Sequence, residues 1–321
     1  GRRAALLDRQ ASGEAVVAAG ATCVSEVAGS YDGFLLDQYG VLHDGLQPLP
    51  GALDCLTELR EAGKKLVVVS NSPCEGPAMG VRLRKMGFDP GLFDGMVTSG
   101  DLVKRHLDTV LAEANERGDP PPRVVYVSHE DHVRRGVWAP EDLKAMGFEL
   151  ASSVEEADLV LTNGVEVCFK GTPAAAPSNF ERDAEDWGPI RPLLEEAVRR
   201  GVPLVVANPD HTIVRSGGKV VNCPGLLAAE YARLGGPAPP CYGKPGASIF
   251  REAREALCAL GAERVCHVGD SLHHDVGGAQ GEGLPTLFVR GGIHAAELGD
   301  GEDFGTLCRS YGVALPTHDL P

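Results

Sequence analysis

The chain has 321 residues, with 45 acidic against 30 basic side chains and a formal net charge of −15 at pH 7. That excess of acid excludes a broad basic surface for nucleic acid or an anionic membrane, while leaving room for one basic pocket around a small anion. Hydrophobic residues make up 43 % and charged residues 23 %, so disorder throughout is excluded, and 41 glycines with 23 prolines and no repeat period mean many turns rather than a fibre.

In chain order, Gly33–Asp37 is a short apolar run that ends in a carboxylate. Ala52–Ala62 follows with leucines 53, 56 and 59 at helical spacing, and Lys65–Ser70 reads as a buried parallel strand. Pro77–Met86 reads as a helix and Gly95–Ser99 as a third strand. This β-α-β-α-β order predicts an α/β fold with a doubly wound parallel sheet. The middle of the chain has strands of its own at Val124–Ser128, Leu159–Thr162 and Leu204–Val206. Its helices are predicted near Asp101–Glu116, Pro189–Arg200 and Gly225–Leu234. The segment Glu166–Trp187 lacks periodicity and carries Glu181, Asp183, Glu185 and Asp186, so it reads as an exposed, solvated loop. The core pattern then returns. Cys241–Gly243 is a short strand and Ser248–Leu260 a helix, followed by strand Val265–Val268, helix Gly277–Gly281 and strand Pro285–Val289.

The length suggests about two domains. Nine cysteines run from Cys23 to Cys308 without a CxxC pair or a CxxC…HxxxH spacing. They read as small apolar residues of a reducing compartment, which makes the cytoplasm the default. The sequence begins Gly1-Arg2-Arg3, and a trimmed transit peptide would instead imply an organelle stroma such as that of the chloroplast, which is equally reducing. No apolar run approaches the roughly 18 residues of a membrane span.

Four short segments lie at the carboxyl ends of predicted strands, the edge where open α/β sheets bind ligands. DQYGVLHDG starts at Asp37, a carboxylate that can attack phosphorus as a covalent nucleophile. VVVSNSP places Ser70 and the backbone N–H groups after it where they can hold phosphate oxygens, with Asn71 beside them. YGKPG carries Lys244, whose ammonium can neutralise both a carboxylate and a transferring phosphoryl group. HVGDSLHHDVGGAQGEG carries Asp270 and Asp275, hard oxygen ligands of the kind Mg²⁺ takes. Taken singly, each segment is ordinary turn or helix-cap chemistry; their order carries the weight.

In that order the sequence resembles the haloacid dehalogenase-like hydrolases, mostly Mg²⁺-dependent phosphatases, over about Tyr31–Leu298. The resemblance implies that Asp37 forms an aspartyl-phosphate, that Ser70 and Lys244 hold the phosphoryl group, and that Asp37, the Tyr39 carbonyl and Asp270 ligate Mg²⁺ with support from Asp275. The long gap between Asn71 and Lys244 resembles the large α/β cap of the subgroup with pyridoxal phosphate, phosphoglycolate and nucleotide phosphatases. GVLHDG, ANPD at Ala207–Asp210 and VRGGIHAAEL at Val289–Leu298 match a branch known mainly as predicted sugar-phosphate phosphatases. The expected core is residues 1–99 with 236–321, and the expected cap residues 100–235. The implied partner is a small phosphorylated metabolite rather than nucleic acid or membrane, and caps of this type often form homodimers. The resemblance places Asn208 and Asp210 over the active site to read the substrate; the plain alternative is an Asx-Pro turn.

One departure stands out. Where the family usually has a second Asp as general acid and base, this chain has Tyr39, whose ordinary pKa of about 10 suits the task poorly at pH 7. Three readings follow. The leaving group needs no acid; His43 or Asp44 supplies the proton; or the protein binds a phosphorylated ligand with little or no turnover. Elsewhere His267, His273 and His274 read as surface or capping histidines, and Cys74, Trp138 and Trp187 as packing residues.

Overall fold

The computed structural model describes residues 19–20, 23–131, 136–215, 219–299 and 303–321. The start of the chain, where a transit segment was considered, lies outside the described residues.

Fifteen strands are present among the described residues: β1 (Ala19–Gly20), β2 (Gly33–Leu36), β3 (Lys65–Ser70), β4 (Gly95–Thr98), β5 (Arg123–Val127), β6 (Glu149–Leu150), β7 (Leu159–Thr162), β8 (Val167–Cys168), β9 (Ala176–Pro177), β10 (Leu204–Val206), β11 (Thr212–Arg215), β12 (Lys219–Asn222), β13 (Val265–Gly269), β14 (Thr286–Val289) and β15 (His318–Leu320). Seven of them form one sheet in the order β1-β15-β14-β13-β2-β3-β4, every pair parallel. Its strands come from the two ends of the sequence. Four from the middle form a second parallel sheet in the order β10-β7-β5-β6.

Side chains alternate across a strand, so the buried run Phe34-Leu35-Leu36 feeds both faces of the large sheet. Phe34 and Leu36 pack with Leu66 and Val68 beneath Leu56, Leu59, Met79 and Leu83, from helices Ala52–Glu61 and Gly76–Lys85. Leu35, Val67 and Val69 pack on the opposite face with Ile249, Phe250, Ala253 and Leu257 of helix Ala247–Ala259. Helices on both faces of a parallel sheet are the doubly wound architecture that the strand–helix alternation predicts.

The smaller sheet is built the same way. Val124, Tyr126, Leu159 and Leu161 meet Val103 and Leu107 of helix Ser99–Arg117, while Val125, Val127 and Val160 meet Leu193 and Leu194 of helix Ile190–Arg200. Helix Ser99–Arg117 leaves the end of β4 through a capping box, in which the Thr98 hydroxyl accepts from Asp101 N–H and the Asp101 carboxylate accepts from Thr98 N–H.

Two expectations are corrected here. Cys241–Gly243 is not a strand. Prolines 237, 239, 240 and 245 surround it and cannot donate to a ladder, and the Lys244 N–H and carbonyl bond the Asn71 side chain instead. The segment Glu166–Trp187 is not a solvated loop throughout. It contains the antiparallel β8–β9 pair, and Phe180 and Glu181 in it are buried. Two residues of pairing are too few to give a period in the sequence. The edge pair β1–β15, also two residues of pairing, gives no period either, and the four-residue β11–β12 ribbon is a further addition to the expected strands.

Candidate active site

Parallel strands bring their carboxyl ends to one edge, and there the sheet collects the four segments. Asp37 follows β2, Ser70 closes β3, and Asp270 follows β13. Lys244 stands just before helix Ala247–Ala259, and its Nζ lies 2.6 Å from Asp37 Oδ1 and 2.6 Å from Asp275 Oδ1. Carboxylate oxygens of Asp37, Asp270 and Asp275 lie within 4.8 Å of one another. Lys244 and Asp275 are almost fully buried, whereas the Asp37 side chain keeps 14 % exposure, an opening toward a substrate.

Glycines allow the crowding. A Cβ on Gly40, whose φ is +79°, would fall 1.9 Å from Asp270 Oδ2, and one on Gly292 would fall 2.2 Å from Asp270 Cβ. Asp270 is thus gripped between two loops, and its Oδ2 accepts the Ile293 N–H at 2.8 Å.

Three carboxylates share one ammonium, and the titration of each reflects its position. Burial pushes the Asp37 carboxyl up to about 7, with Asp275 adding repulsion and Lys244 opposing it. Burial and the neighbouring Asp37 push Asp270 well above the usual carboxylate range. Asp275 goes the other way. Against burial, Lys244 and a hydrogen bond from His267 hold it well below that range. For Lys244, burial alone would favour the neutral amine, but Asp275 and Asp37 outweigh it and keep the ammonium charged.

Asp275 spends its oxygens on protein donors. Oδ1 accepts from Lys244 and from His267 Nε2 at 2.8 Å, and Oδ2 accepts from Ser271 N–H at 3.0 Å. Its geometry is that of a group that holds Lys244 in place. His267 is therefore not a surface or capping histidine: it is 1 % exposed on β13, a strand buried at every position.

Asn71 is committed in the same way. Its Oδ1 accepts from Lys244 N–H at 2.6 Å, and its Nδ2 donates to Lys244 O at 2.9 Å and to Asp210 Oδ1 at 2.7 Å. Through that last bond the loop after β10 in the smaller sheet touches the edge of the larger one. Asn208 closes an Asx turn, its Oδ1 accepting from Asp210 N–H at 3.0 Å. The Ser70 hydroxyl accepts from Ser72 N–H at 3.1 Å and starts the turn after β3.

Tyr39 is 37 % exposed and meets His43 edge-on, with ring centroids 6.0 Å apart. Both residues considered as substitute acids are engaged within their own loop. His43 is 4 % exposed, its Nδ1 accepts from Gly45 N–H at 3.0 Å, and its Nε2 faces Gln38 Oε1 at 3.4 Å. Burial, aided by Arg82, lowers its pKa to about 4, so it is neutral at pH 7. Asp44 Oδ1 accepts from Leu46 and Gln47 N–H groups, which hold that carboxyl below its usual range.

Cys74 and Trp138 are buried; Trp138 also donates from Nε1 to Glu75 Oε1 at 2.7 Å. Trp187 packs on Phe180 at 4.4 Å.

A doubly wound sheet that gathers an acid, a hydroxyl, a buried lysine and an acid pair at its carboxyl edge has the form of a ligand site of an open α/β fold. Residues 34–139 match the model for haloacid dehalogenase-like hydrolases, and residues 241–306 match a second, HAD-hydrolase-like model. The chain belongs to the haloacid dehalogenase-like hydrolase family. Among relatives, it is 26 % identical over 274 residues to a D-glycerol 3-phosphate phosphatase of Mycobacterium tuberculosis, covering 85 % of this chain and 67 % of that one. A haloacid dehalogenase-like hydrolase from Brucella suis superposes with a TM-score of 0.70 at 25 % identity, covering 94 % of this chain and 98 % of that one. The glycerol phosphate phosphatase from Mycobacterium tuberculosis, solved in complex with magnesium, gives a TM-score of 0.55 at 24 % identity over 83 % of this chain and 70 % of that one. Among the described residues no helix is long and apolar enough to cross a membrane.

Proposed function

We propose that the protein is a Mg²⁺-dependent phosphatase that hydrolyses a small phosphomonoester, such as a sugar or polyol phosphate, through an aspartyl-phosphate on Asp37. The observation that carries this reading is the single ammonium of Lys244 set 2.6 Å from both Asp37 and Asp275, with Asp270 crowded beside them. The relative that acts on D-glycerol 3-phosphate supports the substrate class.

The donor set fits Mg²⁺. It consists of hard oxygens, and the raised carboxyls of Asp37 and Asp270 mark negative charge that one lysine does not neutralise. Asp37, Asp270 and the carbonyl of Tyr39 would hold the ion, which supplies charge neutralisation at the transferring phosphoryl group. Asp275, occupied by three donors, would act through Lys244 and the loop.

In the reaction, an Asp37 carboxylate oxygen forms a bond to phosphorus while the ester P–O bond breaks toward the leaving alcohol. Ser70 and Lys244 hold the phosphoryl oxygens, and Asn71 fixes Lys244 by both of its backbone polar groups. Water then cleaves the acyl phosphate, which frees phosphate and restores Asp37. With a phenol at position 39 and His43 neutral, the departing alkoxide takes its proton from water, so esters of acidic alcohols turn over fastest. Residues 100–235 form the cap in this reading. The Asp210–Asn71 contact seats the cap on the site edge, where it excludes macromolecular substrates and lets Asn208 and Asp210 border the substrate.

The test is phosphate release from a panel of small phosphomonoesters and an activated aryl phosphate, with and without Mg²⁺, and with Asp37→Asn as control. Release that needs both Mg²⁺ and Asp37 is the expected result. Mg²⁺ and phosphate binding without release from any ester would turn the reading into that of a phosphate-ligand-binding protein.

A further inference from the structure

Two consecutive residues after β14 hold both ends of the segment Asp270–Leu272. The Ile293 N–H donates to Asp270 Oδ2 at 2.8 Å, and the Leu272 N–H donates to His294 Nε2 at 3.2 Å. Leu272 opens the π-helical turn Leu272–Gly277, which carries Asp275. Its N–H is one of the unsatisfied donors at the start of any helix, and here a distant side chain caps it.

His294 is 5 % exposed and is itself fixed. Because Nε2 accepts, the ring proton sits on Nδ1, which faces Glu297 Oε2 in a short contact. Tyr311 donates its hydroxyl to the other Glu297 oxygen at 3.2 Å and meets the His294 ring edge-on at 4.8 Å. Glu297 therefore sets the tautomer, the tautomer presents an acceptor to Leu272, and the same backbone stretch presents Ile293 N–H to Asp270. Gly292 allows the approach, since a Cβ there would fall 2.2 Å from Asp270 Cβ.

We propose that His294, oriented by Glu297, is a positioning residue that holds Asp270 and the Asp275 turn in the geometry that receives Mg²⁺. The proposal rests on the phosphatase reading and deepens it. His294 touches neither substrate nor metal in this role; it acts through the backbone at Leu272 and Ile293.

The role separates from general stability by what it moves. Losing an outlying group that orients metal ligands costs roughly 10- to 100-fold in metal affinity. Calorimetric Mg²⁺ titration of His294→Ala should show a loss in that range, and the Mg²⁺ concentration for half-maximal turnover should rise in parallel. At saturating Mg²⁺ the KM for 4-nitrophenyl phosphate should stay within about twofold of wild type, because Ser70 and the Lys244–Asp37 contact do not run through the turn. His294→Gln keeps an acceptor for Leu272 N–H and should recover Mg²⁺ affinity to within about threefold. Glu297 lies at the surface end of the relay, so Glu297→Gln serves if the alanine variant does not fold, with a smaller loss in the same direction. Mg²⁺ affinity within twofold of wild type in His294→Ala, or in Glu297→Gln where that is the folded variant, overturns the proposal. So does a Gln variant as weak as the Ala variant. Wild-type protein that neither binds Mg²⁺ nor releases phosphate would instead overturn the phosphatase reading.

Discussion

Among the described residues the molecule gathers three potential metal ligands twice, Asp37, Asp270 and Asp275 on the large sheet and His129, Glu166 and Glu181 on the small one, each set with its ligand atoms within 4.8 Å. The two sets sit alike, each at the carboxyl edge of a parallel sheet, yet Asp37 and Asp270 of the first and Glu166 of the second shift in opposite directions. In the first, burial drives Asp37 up to about 7 and Asp270 higher than its ordinary range, because one lysine cannot balance three carboxylates. In the second, a hydrogen bond from His129 and the Glu130 N–H pull Glu166 down to about 2. Lys170 meanwhile ties the backbone carbonyls of His129 and Glu130. Like unit charges roughly 4 Å apart repel by about 4 kcal/mol at an effective dielectric of 20. The first set carries that repulsion relieved only in part by Lys244 and has a use for a cation. The second has been completed by the protein's own donors. Proximity of acids does not mark a binding site; the charge left over does.

Breaking the first set should have the largest effect. Asp37→Asn keeps the shape of the site and removes the nucleophile, so phosphate release should fall by roughly 10³-fold or more while the protein stays folded. A variant with a tenth of wild-type turnover would mean that Asp37 is not the attacking group.

The next effect sharpens the first set instead of breaking it. Tyr39→Asp puts a carboxylic acid beside the leaving group, and general acid help is worth roughly 10²–10⁴-fold where the alkoxide is poor. Turnover of an alkyl phosphate should rise by about 10²-fold and that of 4-nitrophenyl phosphate by much less, since its leaving group needs no proton. Equal gains on both esters, or none on the alkyl ester, would remove the missing acid as the limit on turnover.

In the second set the corresponding change should cost stability alone. Glu166→Gln gives up hydrogen bonds to a charged acceptor, worth about 1.5–3 kcal/mol, and urea unfolding should show a loss of that size. Turnover at saturating Mg²⁺ should be unaltered, because Glu166 bonds His129 and Glu130 rather than any residue of the large-sheet site. A fall in turnover without a fall in stability would place the second set in the reaction after all.

This contrast was only half legible in the sequence. Asp37, Ser70 and Asp270 could be read because each stands at the carboxyl end of a buried apolar run, where chain direction alone fixes the edge, whereas Lys244, with no strand before it, was legible only through its place in the order of the four segments. The supports were less legible. Asn71 is legible as a candidate beside Ser70, but its partner is not: only the fold brings Lys244, far along the chain, against both ends of its amide. His267 looks like one of three scattered histidines until β13 turns it inward onto Asp275. His43 and Asp44 looked available as acids because their spacing from Asp37 is visible, whereas the Gly45, Leu46 and Gln47 N–H groups that occupy them appear only in the folded loop. Glu181 was read as solvated because an acid in an aperiodic stretch usually is, and only the return of the chain beside Glu166 buries it.

The smallest effect is a difference of pH profile between the two sets. Folding raises Asp37 from its ordinary 3.8 to about 7, so between those values the folded state keeps a proton that the unfolded chain releases. Without metal, Asp37 therefore takes stability away as pH rises through that window, and its loss is complete above about 7. Glu166 is lowered from its ordinary 4.5 to about 2, so its contribution is full above 4.5 and disappears as pH falls toward 2. Mg²⁺ displaces the protons of the first set and leaves the second alone. The rise in Tm on adding Mg²⁺ should therefore grow between pH 5 and pH 8, flatten in Asp37→Asn, and keep its full slope in Glu166→Gln. A Mg²⁺ increment independent of pH in the wild type would show that the crowded carboxyls hold no proton for the metal to displace, and the electrostatic distinction between the two sets would fall with it.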